Sequence, residues 1–439
     1  MSYDNIALSG LRRTVMEVEP NDGADLENKI ENFGDQYIIQ IPKGTYNLSD
    51  EILLEGSGAW PATKTYIIRG AGTWDTIIVP NGTDYGFRGI DAVNVFLSDL
   101  EILIPASNGM PGIFGDDGGG AWDYSFYRGD FRNIAVRGGG STNDLVAVHL
   151  QNPYEYIWTG NNYISVDGVY NASPPTGIKI ENTSAGNRCD GWWGGLMQIY
   201  MSGANQTAVD FARTANEIHG FHMLGYTYIS NPTSDAGTTA FDLDYVTNSS
   251  FANFSLEYMA NGFVMDNCDS VHIYDGGYIQ MRDAGILFDV NSTNTNIIVK
   301  DIGKVNCAAA ETLTLLDDDV GDAMLKSIYD SIRVTKGAGA TVTVSPHANT
   351  NVRRITIYDD GVSEARGTAT ILNGNATVVV THGLYSTPLN IKVDGTHAEV
   401  ESCYPDTIGA ANFTINKGGA GNVTANRDIF WEASVCGSA

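Results

Sequence analysis

The 439-residue chain is short of positive charge. It carries 25 Lys and Arg against 52 Asp and Glu, a formal net charge of -27 with a pI near 4.4. So acidic a surface repels phosphate backbones and anionic headgroups, which argues against nucleic acid or an anionic membrane as partner. Long apolar runs are missing too: nothing approaches the roughly 18 residues of a spanning helix, so no membrane insertion is expected. Met1-Ser2-Tyr3-Asp4 opens neither a basic nor an apolar leader, so no secretory signal is expected. Cysteine is scarce. Cys189, Cys268, Cys307, Cys403 and Cys436 are odd in number and lack metal-type spacing, which speaks for incidental thiols over a disulfide framework. His149, His219, His222 and His272 are dispersed without zinc spacing. Glycine-rich phosphate loops, nucleophile elbows and Cys-x-x-Cys pairs are absent. No metal site and no cofactor are therefore assigned, calcium being the one ion an acidic surface of this kind could recruit.

What is present is repetition. Phe241-Asp242-Leu243-Asp244, Phe263-Val264-Met265-Asp266 and Ile286-Leu287-Phe288-Asp289 each place two large apolar residues two apart before a terminal Asp. They recur every 22 to 23 residues or so, within the range of solenoid turns. The series extends back through Val209-Asp210-Phe211, Ile178-Lys179-Ile180 and Val146-Ala147-Val148. A second series runs through Ile134, Ile164, Met197, Phe251, Val271 and Ile297. Period-2 segments that return at this interval predict a parallel β-helix, whose turns are too short for buried crossover helices. A β-sandwich is the alternative.

Residues 1–20 show no period and read as an N-terminal arm. Asp22-Gly23 opens a short amphipathic helix, Asp25 to Phe33, with Leu26, Ile30 and Phe33 on one face, suited to cap an open solenoid end. Strand-like Tyr37–Ile41 follows, then Pro42-Lys43-Gly44-Thr45-Tyr46 and Ile52-Leu53-Leu54. This opening resembles that of the pectate-lyase-like right-handed parallel β-helix superfamily, and within it phage-type tailspikes and related polysaccharide-active proteins. The resemblance implies one solenoid over about residues 21–364. The tail, 365–439, drops the period. Ala376–Leu384, Pro388–Val393, Asn412–Ile415 and Ile429–Ala433 predict a small antiparallel β-sandwich. Val378-Val379-Val380-Thr381-His382-Gly383-Leu384 with Phe430-Trp431-Glu432-Ala433 resembles a module of phage and other virion surface proteins, which implies a role in trimerisation or receptor contact.

Stacked turns lie about 4.8 Å apart, so the repeats predict outward columns. Asp244, Asp266 and Asp289 form one, with Glu181 further along. Neighbouring carboxyls at such spacing suit glycosidase acid/base work, or are simply a solvated acidic edge. A second column sets Glu257 over Gln280 and Asn306 with Asp283 nearby, an acid/base pair beside Arg282 or plain scaffold. Three loops interrupt the rhythm and are the preferred site. They hold Trp122, Tyr124, Tyr127, Trp158, Trp192 and Trp193 to stack on sugar rings, and Arg188 with Asp116, Asp117, Asp123, Glu155 and Asp190 to bind hydroxyls or move protons. The catalytic candidates are thus Asp244, Asp266, Asp190, Glu257 and Asp283.

These features together predict an all-β right-handed parallel β-helix with a short capping helix and a C-terminal sandwich. The function expected is that of an extracellular spike or fibre on a virion surface, a homotrimer that binds a cell-surface polysaccharide and, if its carboxyls act, depolymerises it. A non-enzymatic adhesin or structural fibre, and a secreted polysaccharide lyase or glycoside hydrolase, are the other readings.

Overall fold

One residue per turn decides where the chain bends. Between the first and second strands of successive turns the backbone takes a left-handed step that most side chains resist. Asp99, Asn133, Gly160, Asn253, Asp275 and Asp301 fill that seat, with φ between 53° and 71°. These are the residue types whose short polar side chain, or lack of one, tolerates it. The same residues sew neighbouring turns together. Asn133 Nδ2 donates to Asp99 Oδ1 at 2.7 Å, and the Asn161 N–H donates to Asn133 Oδ1 at 2.9 Å.

The computed structural model describes residues 14–434 apart from 57–63, 92, 107, 119–123, 142–145, 169–174, 184–188, 214–216, 234–236, 292–293, 319–326, 338, 346–350, 353–354, 360–363, 383–387, 389 and 410–411. Among the described residues, thirty-one strands are linked by parallel pairing into a right-handed β-helix with three faces. The first face runs from Ile38–Gln40 and Thr65–Arg69 through Gly191–Trp193 to Asp269–Tyr274. The second includes Gly44–Asn47, Thr76–Val79, Asn161–Gly168, Leu196–Ser202 and Thr227–Ser230. The third includes Phe87–Ile90, Ile113–Gly115, Val146–Gln151, Thr176–Asn182, Thr207–Arg213 and Thr239–Asp244. Longer strands such as Phe254–Asp266 and Tyr278–Asn291 turn the corner from the second face to the third.

Alternate residues point into the bore. Val148, Ile178, Val209, Phe241, Phe263 and Phe288 stack in register there, all fully buried. The Phe241 and Phe263 rings stack at 4.6 Å, those of Phe263 and Phe288 at 5.8 Å. This column corrects the expected alignment by two residues at its end. Phe263 pairs with Phe288 rather than Ile286, so Asp266 faces Asn291 and Asp289 faces Val264. A slip of two preserves which side chains point inward, and ring-on-ring packing selects among the registers that alternation permits. The second series divides as well: Ile164 and Met197 lie on the second face, Phe251 and Val271 on the first.

The helix spans Gly23–Phe33, capped by Asp22, whose side chain accepts the Asp25 N–H at 3.0 Å. Leu26 and Ile30 are buried, whereas Phe33 stays exposed. A Cβ on Gly23 would overlap the Asn47 carbonyl, so glycine lets the helix seat on Gly44–Asn47. Val15–Glu17, inside the stretch expected to be an arm, pairs in parallel with Ile38–Gln40 and extends the first face.

By contact the chain divides into two compact units, the second comprising Val305–Glu311, Ile332–Val342 and Ile355–Ala439. In that unit, residues from Ile332 onward pair in parallel with Ile355–Asp359. Two three-stranded antiparallel sheets follow. One joins Glu364–Ile371, Arg427–Ser434 and Asn390–Gly395; the other joins Thr377–Thr381, Asn412–Asn416 and Tyr404–Asp406. Ile371, Phe413, Ile415, Ile429 and Trp431 form the core between them.

Cysteine pairs test the register. Under oxidation, Val264→Cys with Asp289→Cys is expected to crosslink and Asp266→Cys with Asp289→Cys is not, since only the first pair occupies neighbouring positions. The reverse outcome, read as a shift on a non-reducing gel, would restore the alignment expected from the repeats.

Candidate functional site

Tyrosines recur on the outer side of the second face because each stands beside an inward isoleucine: Tyr163-Ile164, Ile199-Tyr200 and Tyr228-Ile229. One outward column reads Glu101, Ala135, Tyr163, Gln198, Tyr228, Ser255. The next reads Arg137, Ser165, Tyr200, Ser230, Glu257, Gln280. Neighbouring turns bring the rings together in a row, Tyr163 to Tyr200 at 5.2 Å and Tyr200 to Tyr228 at 5.7 Å.

Trp74 extends this row from two turns before Asn133. Its loop lies along the flank, held where Thr73 Oγ1 donates to the Asn133 carbonyl at 2.8 Å, and the indole meets Tyr163 at 5.4 Å. Arg137 lies over the indole at 5.4 Å and its Nε donates to Glu101 at 2.6 Å. Glu101 is only 1% exposed although its strand position faces outward, while Trp74 remains 55% exposed. A cleft of about 640 Å³ opens here, lined by Thr73, Trp74, Asp75, Asn133, Asn161, Asn162, Tyr163 and Gln198. At the other end of the row the Tyr228 hydroxyl donates to Glu257 Oε2 at 2.6 Å. Burial, with that carboxylate beside it, pushes the phenol up to about 12. The arrangement offers flat apolar faces flanked by amides, hydroxyls and the carboxylates of Asp75 and Glu257, which suits a chain of sugar rings.

The third face carries a different chemistry. Its outward column reads Arg88, Phe114, His149, Lys179, Asp210, Asp242, Val264, Asp289, Asp317. Asp244 and Asp266 are neighbours in the adjoining column. His149 Nε2 lies 2.9 Å from Glu181 Oε2 and holds that carboxyl below its usual range. Burial, then Asp242, pushes Asp210 up to about 7. Burial, with Asp266, Asp244 and Asp289 around it, pushes Asp242 up to about 6. Asp244 is raised by burial and by Asp266, against the pull of Arg213.

The expected site residues are thus distributed over all three faces. Asp244 and Asp266 come together on the third; Asp289 leaves their column. Glu257 lies over Gln280 on the second face as expected. Asp283 is no partner to it in the hydrogen bonds it makes: its carboxylate accepts the Thr312 N–H at 2.8 Å and the Thr312 hydroxyl at 3.2 Å, which lowers its pKa. Asp190 lies just before Gly191–Trp193 on the first face, beside the buried Cys189 whose thiol burial pushes up. Trp158 and Trp193 are each 1% exposed and neighbours in register, so they pack the bore and offer no face to a sugar. Short alternating strands, Tyr156–Thr159 and Gly191–Trp193, turn them inward. Tyr124 is buried against Tyr154 at 5.2 Å. Tyr127 stacks on Tyr154 at 5.1 Å with Arg128 over its ring, and Trp192 points outward in register with His222. Trp122, Asp123 and Arg188 fall outside the described residues. Trp74, Tyr163, Tyr200, Tyr228, Asp210 and Asp242 were not expected, although the middle positions of Val209-Asp210-Phe211 and Phe241-Asp242-Leu243 carried the signal for the last two. Among the described residues no group of three or more His, Cys, Asp or Glu is placed to hold a metal ion.

The chain is similar in fold to solved parallel β-helix proteins. The tailspike gp49 of Pseudomonas phage LKA1 matches at 9% identity over 94% of this chain and 92% of that one, TM-score 0.33. The Gp54 tailspike of Acinetobacter baumannii bacteriophage AP22, solved with a capsular saccharide, matches at 9% over 95% and 94%, TM-score 0.26. PfbA, a surface adhesin of Streptococcus pneumoniae, matches at 12% over 79% and 91%, TM-score 0.37. No family model and no curated protein matches the sequence.

The third face makes stability depend on pH. Asp210 and Asp242 have folded pKa values above that of an unfolded aspartate, so the folded chain holds extra protons between about pH 4 and pH 7. That contribution is full below about pH 4 and lost as pH rises through about 6 to 7. Asp210→Asn is therefore expected to raise stability at pH 8 by about 1–2 kcal/mol and to change little at pH 4. Thermal melts of the two proteins that stay parallel across this range would refute the assignment.

Proposed function

We propose that this chain is a polysaccharide-binding surface protein, a spike or fibre of a virion, and that the glycan lies along the second face. The observation that carries this is the ring row Trp74, Tyr163, Tyr200, Tyr228, aligned with the solenoid axis beside a cleft lined by amides. The rings repeat at about one strand spacing or a small multiple of it, so a polymer can run along them and contact several. A saccharide complex in one tailspike of similar fold is in keeping with this, but the support comes from the row itself. Tyr200→Ala and Tyr228→Ala should each weaken retention of the chain on a host-derived polysaccharide gel by about tenfold, as a lost ring contact of 0.5–1.5 kcal/mol plus buried area implies. Unchanged mobility in affinity electrophoresis would remove the row from the binding site.

Hydrolysis is a second reading, favoured by Asp210 and Asp242. They are register neighbours on adjacent strands, about one strand spacing apart, as a carboxyl pair for glycoside hydrolysis would need, and burial raises the pKa of both, to about 7 and about 6. This places the chemistry on a different face from the ring row. New reducing ends released from the bound glycan, and their loss in Asp242→Asn, would support it; release that persists in that variant would exclude the pair.

The homotrimer belongs to the same proposal. Its support is apolar surface on the C-terminal sheets, Phe430 at 54% and Val379 at 63% exposure. Light scattering should give three times the chain mass for the intact protein and one for Phe430→Asp with Val379→Asp. A monomeric parent chain would discard the trimer.

A further inference from the structure

Every charged side chain in the two outward columns of the second face, between Glu101 and Gln280, already has a partner on that face. Arg137 is bound to Glu101, and Glu257 accepts the Tyr228 hydroxyl. At the cleft, Asp75 is paired with Lys43. Beyond the row, Lys304 lies over the Tyr278 ring at 5.4 Å. The remaining outward positions among the described residues are Ala135, Tyr163, Gln198, Tyr228, Ser255, Ser165, Tyr200, Ser230 and Gln280.

Resting on the polysaccharide reading above, we infer that the glycan is uncharged: a polymer of neutral hexoses or N-acetylhexosamines, without uronate, sialate, sulfate or phosphate. The cations Lys43 and Arg137 stand at the cleft and both are already matched, Lys43 by Asp75 and Arg137 by Glu101. An anionic sugar would have to draw Arg137 away from Glu101, or take Lys43 from Asp75 and then face the carboxylate left behind in the cleft lining. Glu101 is nearly inaccessible to water, so losing its partner would strand a buried carboxylate, a far larger cost than an exposed ion pair returns. The guanidinium is also held over the Trp74 indole, so moving it would disturb the ring that walls the cleft. Amides and hydroxyls do match an uncharged sugar. Asn133, Asn161, Gln198 and Thr73 line the cleft with donors and acceptors for ring hydroxyls or an acetamido group. The net charge of -27 adds a long-range repulsion that any polyanion would have to overcome.

The test is an immobilised array of bacterial capsular and O-antigen polysaccharides of known repeat unit, probed with the full chain. Bound members are expected to have uncharged repeats, with apparent Kd changing less than about twofold between roughly 50 and 300 mM salt. Acidic members should be ignored until carbodiimide and borohydride reduce their carboxylates to neutral alcohols. Binding confined to acidic members, or a loss of about tenfold over that salt range, would overturn the inference. If such acidic binding also disappears in Tyr200→Ala, the ring row stands as the site and only the neutrality fails. If no glycan of either kind is bound, the polysaccharide reading fails and this inference fails with it.

Discussion

Parallel hydrogen bonding between successive turns sets both the separation of side chains, about 4.8 Å, and the identity of each one's neighbour above and below. Inside the bore that spacing suits stacked rings, as the Phe241, Phe263 and Phe288 column shows. Each buried phenylalanine contributes roughly 1.5–3 kcal/mol from area alone, with about 0.5–1.5 more for a well-placed ring pair. Outside, the same spacing sets Asp210 beside Asp242 and Asp244 beside Asp266, where mutual repulsion opposes folding. The interior gain exceeds the exterior penalty, so the core determines the register and the half-buried Asp210 and Asp242 accommodate through raised pKa values.

The solenoid was legible because alternation and recurrence survive any uncertainty about detail. Val209, Phe241 and Phe263 recur in a pattern that few other architectures would require. Its exact alignment was not legible. Residues two apart share a face, so Ile286 and Phe288 were equally acceptable partners for Phe263, and only the contact of rings chooses between them. The consequence for chemistry was direct, since a shift of two carried Asp289 out of one acidic column and into another.

The aromatic site was hidden for a different reason. Trp158 and Trp193 looked like loop residues because their strands are only four and three residues long. The tyrosines that do face outward stand singly on the wall, each beside an isoleucine, and nothing within one turn marks them as a row. Their alignment exists only once the turns are stacked. Trp74 was beyond any repeat-based reading, since its loop leaves its own turn and meets Tyr163 three turns on.

That loop bears on how the molecule comes apart. A stack in which each layer touches only the next can fray layer by layer from an open end. The Thr73 bond to the Asn133 carbonyl and the indole against Tyr163 act instead as a clasp that bypasses intervening layers. Peeling from the amino end past residue 75 then requires breaking links to strands well inside the column, so these layers should give way as one cooperative block. Resistance of these first layers to unravelling would follow from a single tryptophan reaching down the side of the solenoid.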